Sequence, residues 1–128
     1  MKFQLLKNHI ESLSIVRFDD EIENNNNFSF THSCLFNESE NKLFVISFDF
    51  ELTSNKKFKL KFVQKFLFQC DEEITKDFLD SHYPSVNAPA IAYPYVRAFV
   101  ATLLLNAGLE SVSLPAVNFV EHAKLQEN

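Results

Sequence analysis

The chain contains a single glycine, Gly108, among its 128 residues. Phosphate-binding loops and dinucleotide fingerprints need several glycines, because the backbone must approach the phosphate groups closely. The sequence therefore predicts no nucleotide site of either kind and no cofactor. Cysteine is also scarce: Cys34 and Cys70 lie far apart and follow no disulfide spacing. We expect two free thiols in a reducing cytoplasm.

An excess of positive charge is missing as well. The net charge is −5 at pH 7, whereas nucleic-acid-binding domains usually carry a basic surface, so we expect no nucleic-acid partner. The N-terminal residues lack the apolar run of a signal peptide, which favours a cytoplasmic location. The most apolar segment, residues 91–107, contains Pro94 and Arg97. From Pro94 onward it would span only ~21 Å as a helix, less than the roughly 30 Å of a bilayer core, so we predict no membrane insertion.

Aromatic residues are present almost entirely as phenylalanine. The chain has 15 Phe, 3 Tyr and no Trp. A chain of this length is expected to form one domain, here residues 1–128, and to bury roughly two thirds of the surface of its unfolded state. Such a core need not hold every phenylalanine, so we expect part of them at an interface or in a groove that binds extended polypeptide. The alternative, in which every ring belongs to the core, stays open at this point.

Four segments alternate between apolar and polar residues, which is typical of strands with one buried face. They cover residues 3–16, 28–36, 42–53 and 57–70, with a polar loop of four Asn at residues 24–27. The short later turns favour an antiparallel meander or a variant of it. The predicted inward face of the last three strands carries Phe28, Phe30, His32, Cys34, Phe36, Phe44, Ile46, Phe48, Phe50, Leu52, Phe58, Leu60, Phe62, Phe66 and Phe68.

Helical patterns follow the strands. A short helix is predicted over about residues 72–81, with Asp71 as its N-cap. Asn118, followed three residues later by Glu121, resembles the capping box of a short final helix. Strands followed by helices predict an α+β fold, with one sheet and the helices on one of its faces.

Between these two lies a long helix, predicted over residues 91–107, which is apolar on almost every side. Pro94 suits its first turn, and Gly108 suits a left-handed C-terminal stop. A surface helix shows one apolar stripe, and a single sheet covers only one side of a helix. We therefore expect the other side to contact a second copy of the chain, so that the protein forms a homo-oligomer.

Reactive side chains are not arranged for catalysis. His32 and Cys34 share a strand face, but the four histidines lie at no metal-binding spacing. Asp49 and Glu51 lie opposite the phenylalanines, which is more typical of a solvated surface than of an acid–base pair. We predict no metal site, no catalytic residue and no enzymatic activity. An enzyme or small-ligand protein that uses a Phe-lined cavity is an alternative.

A row of lysines follows the fourth strand. Lys57, Lys59, Lys61 and Lys65 share its outer face, and Lys56 extends the row. One interpretation is a charged solvent face that also discourages edge pairing. The other is a docking site for an acidic partner. The sequence leaves both interpretations open.

Two motifs frame the long helix. Tyr93, Pro94, Tyr95 and Arg97 stand at its start, and Leu114-Pro115-Ala116-Val117-Asn118-Phe119 follows the Gly108 stop. These residues resemble the SecB protein-export chaperone family, which has a near-identical Phe-Pro-Tyr-Ala-Arg helix start and a Leu-Ala-Pro-Val-Asn-Phe tail. Weaker similarity covers residues 3–15 and 63–68. The order of four strands, short helix, long helix and tail extends over almost the whole chain.

The resemblance implies a four-stranded antiparallel sheet with two helices on one face, assembled as a dimer or a dimer of dimers (a tetramer) with the sheets outermost. It implies ATP-independent holding of unfolded or non-native polypeptides for protein transport and translocation. Arg97 is expected to be a structural anchor. The residues expected to contact clients or the interface are Phe28, Phe30, Phe44, Phe48, Tyr93, Tyr95, Phe99 and Leu103.

The outer sheet surface departs from the pattern of the family. SecB passes clients to the SecA motor through acidic residues there, whereas Ser12, Val16 and Lys61 stand at three of those positions here. A change of charge on one docking surface weakens binding, so SecA as a partner stays open. The alternative function is a dedicated SecB-like adaptor, or a toxin–antitoxin-associated chaperone, that serves one partner protein without SecA.

Overall fold

The computed structural model describes residues 2–18, 26–55 and 58–127. Its sheet is antiparallel, with the strand order β1–β4–β3–β2. The strands are β1 Phe3–Arg17, β2 Asn27–Phe36, β3 Leu43–Ser54 and β4 Phe58–Cys70. The last three form the predicted meander, whereas β1 pairs with β4, which gives a Greek-key arrangement. β1 and β2 are therefore the edge strands, at opposite sides of the sheet.

Two shifts in the register between β1 and β4 interrupt the alternation of side chains along β1. One lies between Leu5 and Lys7, and the other between Ile10 and Ser12. Each inserts one residue, so the alternation of side chains changes face and then returns. The register places on the inner face of β1 the residues Phe3, Leu5, Asn8, Ile10, Leu13 and Ile15.

The inner face of the sheet carries the hydrophobic core, on the faces of β2, β3 and β4 that the alternation predicts. Ring pairs from adjacent strands stack, with centroids 5.1 Å apart for Phe44 and Phe68 and 4.8 Å for Phe50 and Phe62. Burial of such rings is a main source of stability in a small fold. Every phenylalanine is buried or half-buried, so none of these rings is fully exposed.

The first helix is shorter than predicted. α1 is Lys76–Leu79, and a short 3₁₀ turn, Glu38–Glu40, lies between β2 and β3. Thr75 caps α1, because its Oγ1 accepts a hydrogen bond from the Phe78 N–H at 3.1 Å. The predicted cap, Asp71, instead accepts a hydrogen bond from the Lys2 N–H, which joins the ends of β1 and β4.

The long helix begins earlier than predicted. α2 is Ala88–Asn106, and a π-helical turn, Tyr83–Asn87, precedes it, so the predicted start at residue 91 is wrong. Pro89 rather than Pro94 occupies the first turn, where the missing N–H would have no partner in any case. Pro94 lies inside α2 with its ring exposed.

The C-terminal end of α2 lies where the sequence predicts. Gly108 has φ +73°, and the Leu109 N–H donates to the Leu104 carbonyl at 2.9 Å. The Gly108 N–H donates to the Leu105 carbonyl at 3.3 Å, which completes a Schellman motif.

The final helix, α3, is Phe119–Glu127. The predicted cap is confirmed, since Asn118 Oδ1 accepts hydrogen bonds from the Val120 and Glu121 N–H groups at 3.0 and 3.2 Å. These bonds satisfy two of the donors that every helix leaves open at its start.

One side of α2 packs on the inner face of the sheet through Ala92, Val96, Val100 and Leu104, all fully buried. The helical segment Lys76–Asn106 is long and apolar enough to cross a membrane by length and composition alone. Part of this apolar character comes from the buried stripe of α2, which forms one wall of the core. Three large apolar side chains of α2 are exposed: Ile91 by 42%, Tyr95 by 49% and Leu105 by 79%.

Candidate functional site

An apolar depression lies where the segment after α2 folds back over edge strand β2. It has a volume of about 420 Å³. Phe28 and Phe30 form its β2 wall, and the Pro115–Asn118 tail and α3 form the opposite wall. We call it the β2-edge pocket. Residues that line it include Phe28, Phe30, Ala116, Val117, His122 and Leu125.

Tyr93 positions the tail that forms one wall of this pocket. Its ring is only 4% exposed, and its hydroxyl donates a hydrogen bond to the Pro115 carbonyl at 2.7 Å. The ring also stacks on Phe30 and meets Phe119 edge-on, with centroids 5.7 and 5.6 Å away. Burial raises the pKa of the Tyr93 phenol, so the proton of this hydrogen bond is retained. One side chain of α2 thus connects the sheet edge, the tail and α3.

Two histidine rings, those of His32 and His122, pack against each other beside the β2-edge pocket. His122, on α3, stacks on Phe30 with centroids 4.3 Å apart, and its Nε2 lies 3.1 Å from the Phe30 carbonyl oxygen. His32, on β2, is 9% exposed, and its ring centroid is 5.1 Å from that of His122. The sequence indicates the inward face of His32 but gives no signal for this pairing, because His122 follows 90 residues later, on another element.

The sheet residues proposed to contact clients fall into two groups. Phe28 and Phe30 are half-buried at the β2 edge and line the pocket. Phe44 and Phe48 are fully buried beneath the helices. In this conformation, therefore, only the edge-strand pair is within reach of another polypeptide.

The helix residues proposed for the same role are also separated. Tyr93 is buried, and Phe99 and Leu103 are half-buried, with Phe99 edge-on to Phe62 at 5.0 Å. Tyr95 is 49% exposed, although its ring centroid lies 6.3 Å from that of the buried Phe66. Arg97 is exposed as well. The exposed side of α2, defined by Ile91, Tyr95 and Leu105, is thus a second apolar surface, distinct from the β2-edge pocket.

The lysine row is interleaved with carboxylates. Lys59 Nζ lies 2.9 Å from Glu51 Oε1, and Lys65 Nζ lies 3.9 Å from Glu11 Oε1. Hydrogen bonding to Lys59 and the charge of that lysine lower the pKa of Glu51. Lys61 also lies opposite Glu51 in the register. Opposite charges at close range cancel part of each other's electrostatic field, so the lysine row attracts a distant acidic partner less strongly.

Other residues of the outer face make it polar and mixed rather than uniformly basic. Ser12 and Val16 lie on this face beside Val63 and Lys59. A broad depression of about 710 Å³ covers its middle, and serine, threonine and charged residues predominate among the side chains around it. Lys56, Lys57 and the first part of the Asn run, residues 24–25, lie outside the described residues.

Neither cysteine has the lowered thiol pKa that is typical of a reactive cysteine. Cys34 and Cys70 are unpaired, and burial raises the pKa of the Cys34 thiol to about 11, which keeps it protonated. In residues 2–18, 26–55 and 58–127, no group of three or more His, Cys, Asp or Glu side chains could hold a metal ion.

No protein-family model and no curated protein matches the chain. Solved structures do match it. Rv1957 of Mycobacterium tuberculosis, a SecB-like chaperone solved in complex with a ChAD peptide from the Rv1956 HigA1 antitoxin, is similar with a TM-score of 0.72 and 15% identity, over 90% of this chain and 89% of that chain. A protein of unknown function from Streptococcus agalactiae is similar with a TM-score of 0.55 and 13% identity, over 91% and 98% of the two chains. The predicted fold is thus confirmed: the chain has the α+β fold of a SecB-like chaperone.

Proposed function

We propose that the protein is a cytoplasmic SecB-like chaperone that holds non-native polypeptide at the β2-edge pocket without ATP and without catalysis. The observation that carries this proposal is the pocket itself. It is open and walled by Phe28 and Phe30, and it lies beside a strand that has a sheet neighbour on one side only. An extended client could bury alternate side chains against the two rings.

Binding by burial explains how one site accepts many sequences. Apolar contact contributes about 25 cal/mol per Å² removed from water and has little directional requirement. Segments that are buried in a folded protein and exposed in its unfolded chain are therefore preferred. Folding of the client buries these segments again, so release requires no nucleotide.

The exposed side of α2 supports the proposed homo-oligomer. Ile91, Tyr95 and Leu105 are large apolar residues of this helix that are exposed by 42%, 49% and 79%. Exposed apolar side chains on one element are typical of protein contacts. A second copy of the chain, packed helix against helix, would cover them and give a dimer or a dimer of dimers with the sheets outermost.

A dedicated chaperone is the second candidate function. Rv1957, which shares this fold, was solved with a peptide from an antitoxin. The outer sheet face, where Lys59 and Lys65 alternate with Glu51 and Glu11, favours a partner other than SecA. In this version the same pocket holds one partner protein, and general unfolded clients bind weakly.

Site-specific photo-cross-linking tests the proposed site. Phe28 is replaced by benzoylphenylalanine, which keeps an aromatic ring in the pocket. Leu35, exposed on the outer face of the same strand, receives the same probe as a matched control. We expect an unfolded model protein to cross-link at position 28 and not at position 35. Equal labelling at both positions, or labelling at position 35 alone, would contradict the proposed site.

A further inference from the structure

The contact between α3 and β2 includes an imidazole–backbone hydrogen bond. A carbonyl oxygen only accepts, so His122 Nε2 carries the hydrogen that it donates to the Phe30 carbonyl at 3.1 Å. The other ring nitrogen, Nδ1, is buried and has no hydrogen-bond partner among the residues that the structure describes.

The second imidazole, that of His32, is enclosed by apolar rings. Phe48 and Phe119 lie with their centroids 5.7 and 5.9 Å from it, and His122 completes the enclosure. Apolar walls disfavour a charged group, and a charge on one imidazole also opposes a charge on the other. The closed arrangement therefore disfavours a charge on His32.

Among the residues that the structure describes, the ionisable groups on the neighbouring elements are neutral or lie near an opposite charge. From β2, the Cys34 thiol is protonated and neutral, because burial raises its pKa to about 11. From α2, Tyr93 presents a neutral phenol whose proton is donated to Pro115. From α3, the Glu121 carboxylate lies 3.9 Å from Lys124, and both side chains are exposed. β3 contributes the apolar ring of Phe48.

We propose that His32 and His122 form an acid-sensitive latch that holds α3 over the β2-edge pocket, and that protonation of His32 releases α3 and uncovers the aromatic surface beneath. The part of this inference that concerns clients rests on the function proposed above. Release of α3 is a property of the fold and can be measured without a client.

The direction of the pH effect follows from His32. Burial, and then the neighbouring His122, lower its pKa from 6.5 to about 4. Once α3 is released, the ring regains solvent and its pKa returns toward 6.5. Above pH 6.5 neither state takes up the proton, and the latch has its full strength. As the pH falls from 6.5 toward 4, the released state binds the proton preferentially, so the latch weakens progressively.

Hydrogen exchange of the full-length protein at pH 7 and pH 4, corrected for intrinsic exchange rates, tests the latch. We expect the protection of α3 amides to fall by roughly a hundredfold at pH 4, on the order of the proton linkage of a single histidine. Amides of β3 and β4 should keep their protection. Unchanged protection of α3, or an equal loss in β3 and β4, would overturn the proposal.

Two variants test whether the loss of α3 protection in acid comes from these histidines. His122→Gln keeps an N–H donor for the Phe30 carbonyl but cannot be charged, and His32→Phe fills the ring site without a titrating group. The double variant should keep α3 protected at pH 4, and His122→Gln alone should respond more weakly than wild type. His9→Gln, on the opposite face of the sheet, is the control and should respond as wild type does. A full acid response in the double variant would overturn the latch.

Cross-linking at position 28 connects the latch to client binding. Between pH 7 and pH 5, capture of an unfolded model protein should increase in the wild-type background and remain constant in the double variant. If α3 opens in acid but position 28 captures no client at either pH, the latch stands and the proposed function fails. If position 28 captures clients equally at both pH values, the proposed function stands and the gating role of the latch fails.

Discussion

At the residue scale, a polar side chain stands among the aromatic rings of the inner sheet face. Gln64 is buried on β4, and its Nε2 donates a hydrogen bond to Asn8 Oδ1 at 3.1 Å. Its Oε1 has no partner in the described part of the chain. Alternation along β4 predicts that Gln64 faces inward. It could not predict Asn8 as the partner, because Asn8 reaches the inner face only through the first register shift in β1.

The hydroxyl of Tyr93 is the side-chain group that holds the tail against α2. Tyr93→Phe removes the hydrogen bond to the Pro115 carbonyl, so we expect the free energy of unfolding to fall by about 1 kcal/mol, the typical net contribution of one such bond. Urea denaturation measures this change. Tyr95→Phe, at an exposed ring of the same helix, is the matched control and should change stability by less than about 0.5 kcal/mol. Equal effects of the two variants would contradict the role given to Tyr93.

At the element scale, three prolines close together limit what sequence pattern can predict. Pro84, Pro89 and Pro94 all lie between α1 and the middle of α2. The apolar run starts at Ile91, which favours Pro94 as the first turn. In the structure, the π-helical turn carries the chain past Pro84 and lets Pro89 begin the helix. Local pattern therefore predicts that the helix exists and where it ends, whereas packing against the sheet decides where it begins.

Position 108 favours glycine because of its backbone conformation, and not because a side chain would lack space there. Its φ is +73°, and a Cβ added there would meet nothing within 4 Å. Gly108→Ala should therefore destabilise the fold by about 1–2 kcal/mol, the cost of a left-handed conformation for a residue with a Cβ. Gly108→Asn should cost less, because asparagine tolerates this region better. Thermal unfolding monitored by circular dichroism measures both, and an alanine variant as stable as wild type would contradict this explanation.

At the scale of the whole molecule, the fold follows from patterns that span many residues. The four alternating segments predict the strands to within a residue or so, and the motifs around the long helix predict the fold class. The β2-edge pocket could not be predicted in detail, because it brings together Phe28, Val117 and His122, which lie far apart in sequence. The burial of Phe44 and Phe48 likewise follows from the helices that cover them, not from their strand.

The exposed side of α2 gives a prediction about assembly. The double substitution Tyr95→Asp and Leu105→Asp places charge on this surface without entering the core. Because an uncompensated buried charge opposes association, we expect the mass in sedimentation equilibrium to fall to that of the 14.8 kDa monomer. Leu35→Asp, on the outer sheet face, should leave the oligomer intact. Wild type that is already monomeric, or dissociation by Leu35→Asp instead, would contradict the proposed interface.

Suppression of aggregation is the most direct test of the proposed chaperone activity. An unfolded model protein is diluted at pH 7 into increasing amounts of the wild-type protein, without nucleotide, while the mass of the chaperone is determined in parallel. We predict that an oligomer prevents aggregation at amounts comparable to those of the client. A well-folded oligomer that gives no protection would contradict general holding of non-native polypeptide, and the dedicated-partner function would then take its place.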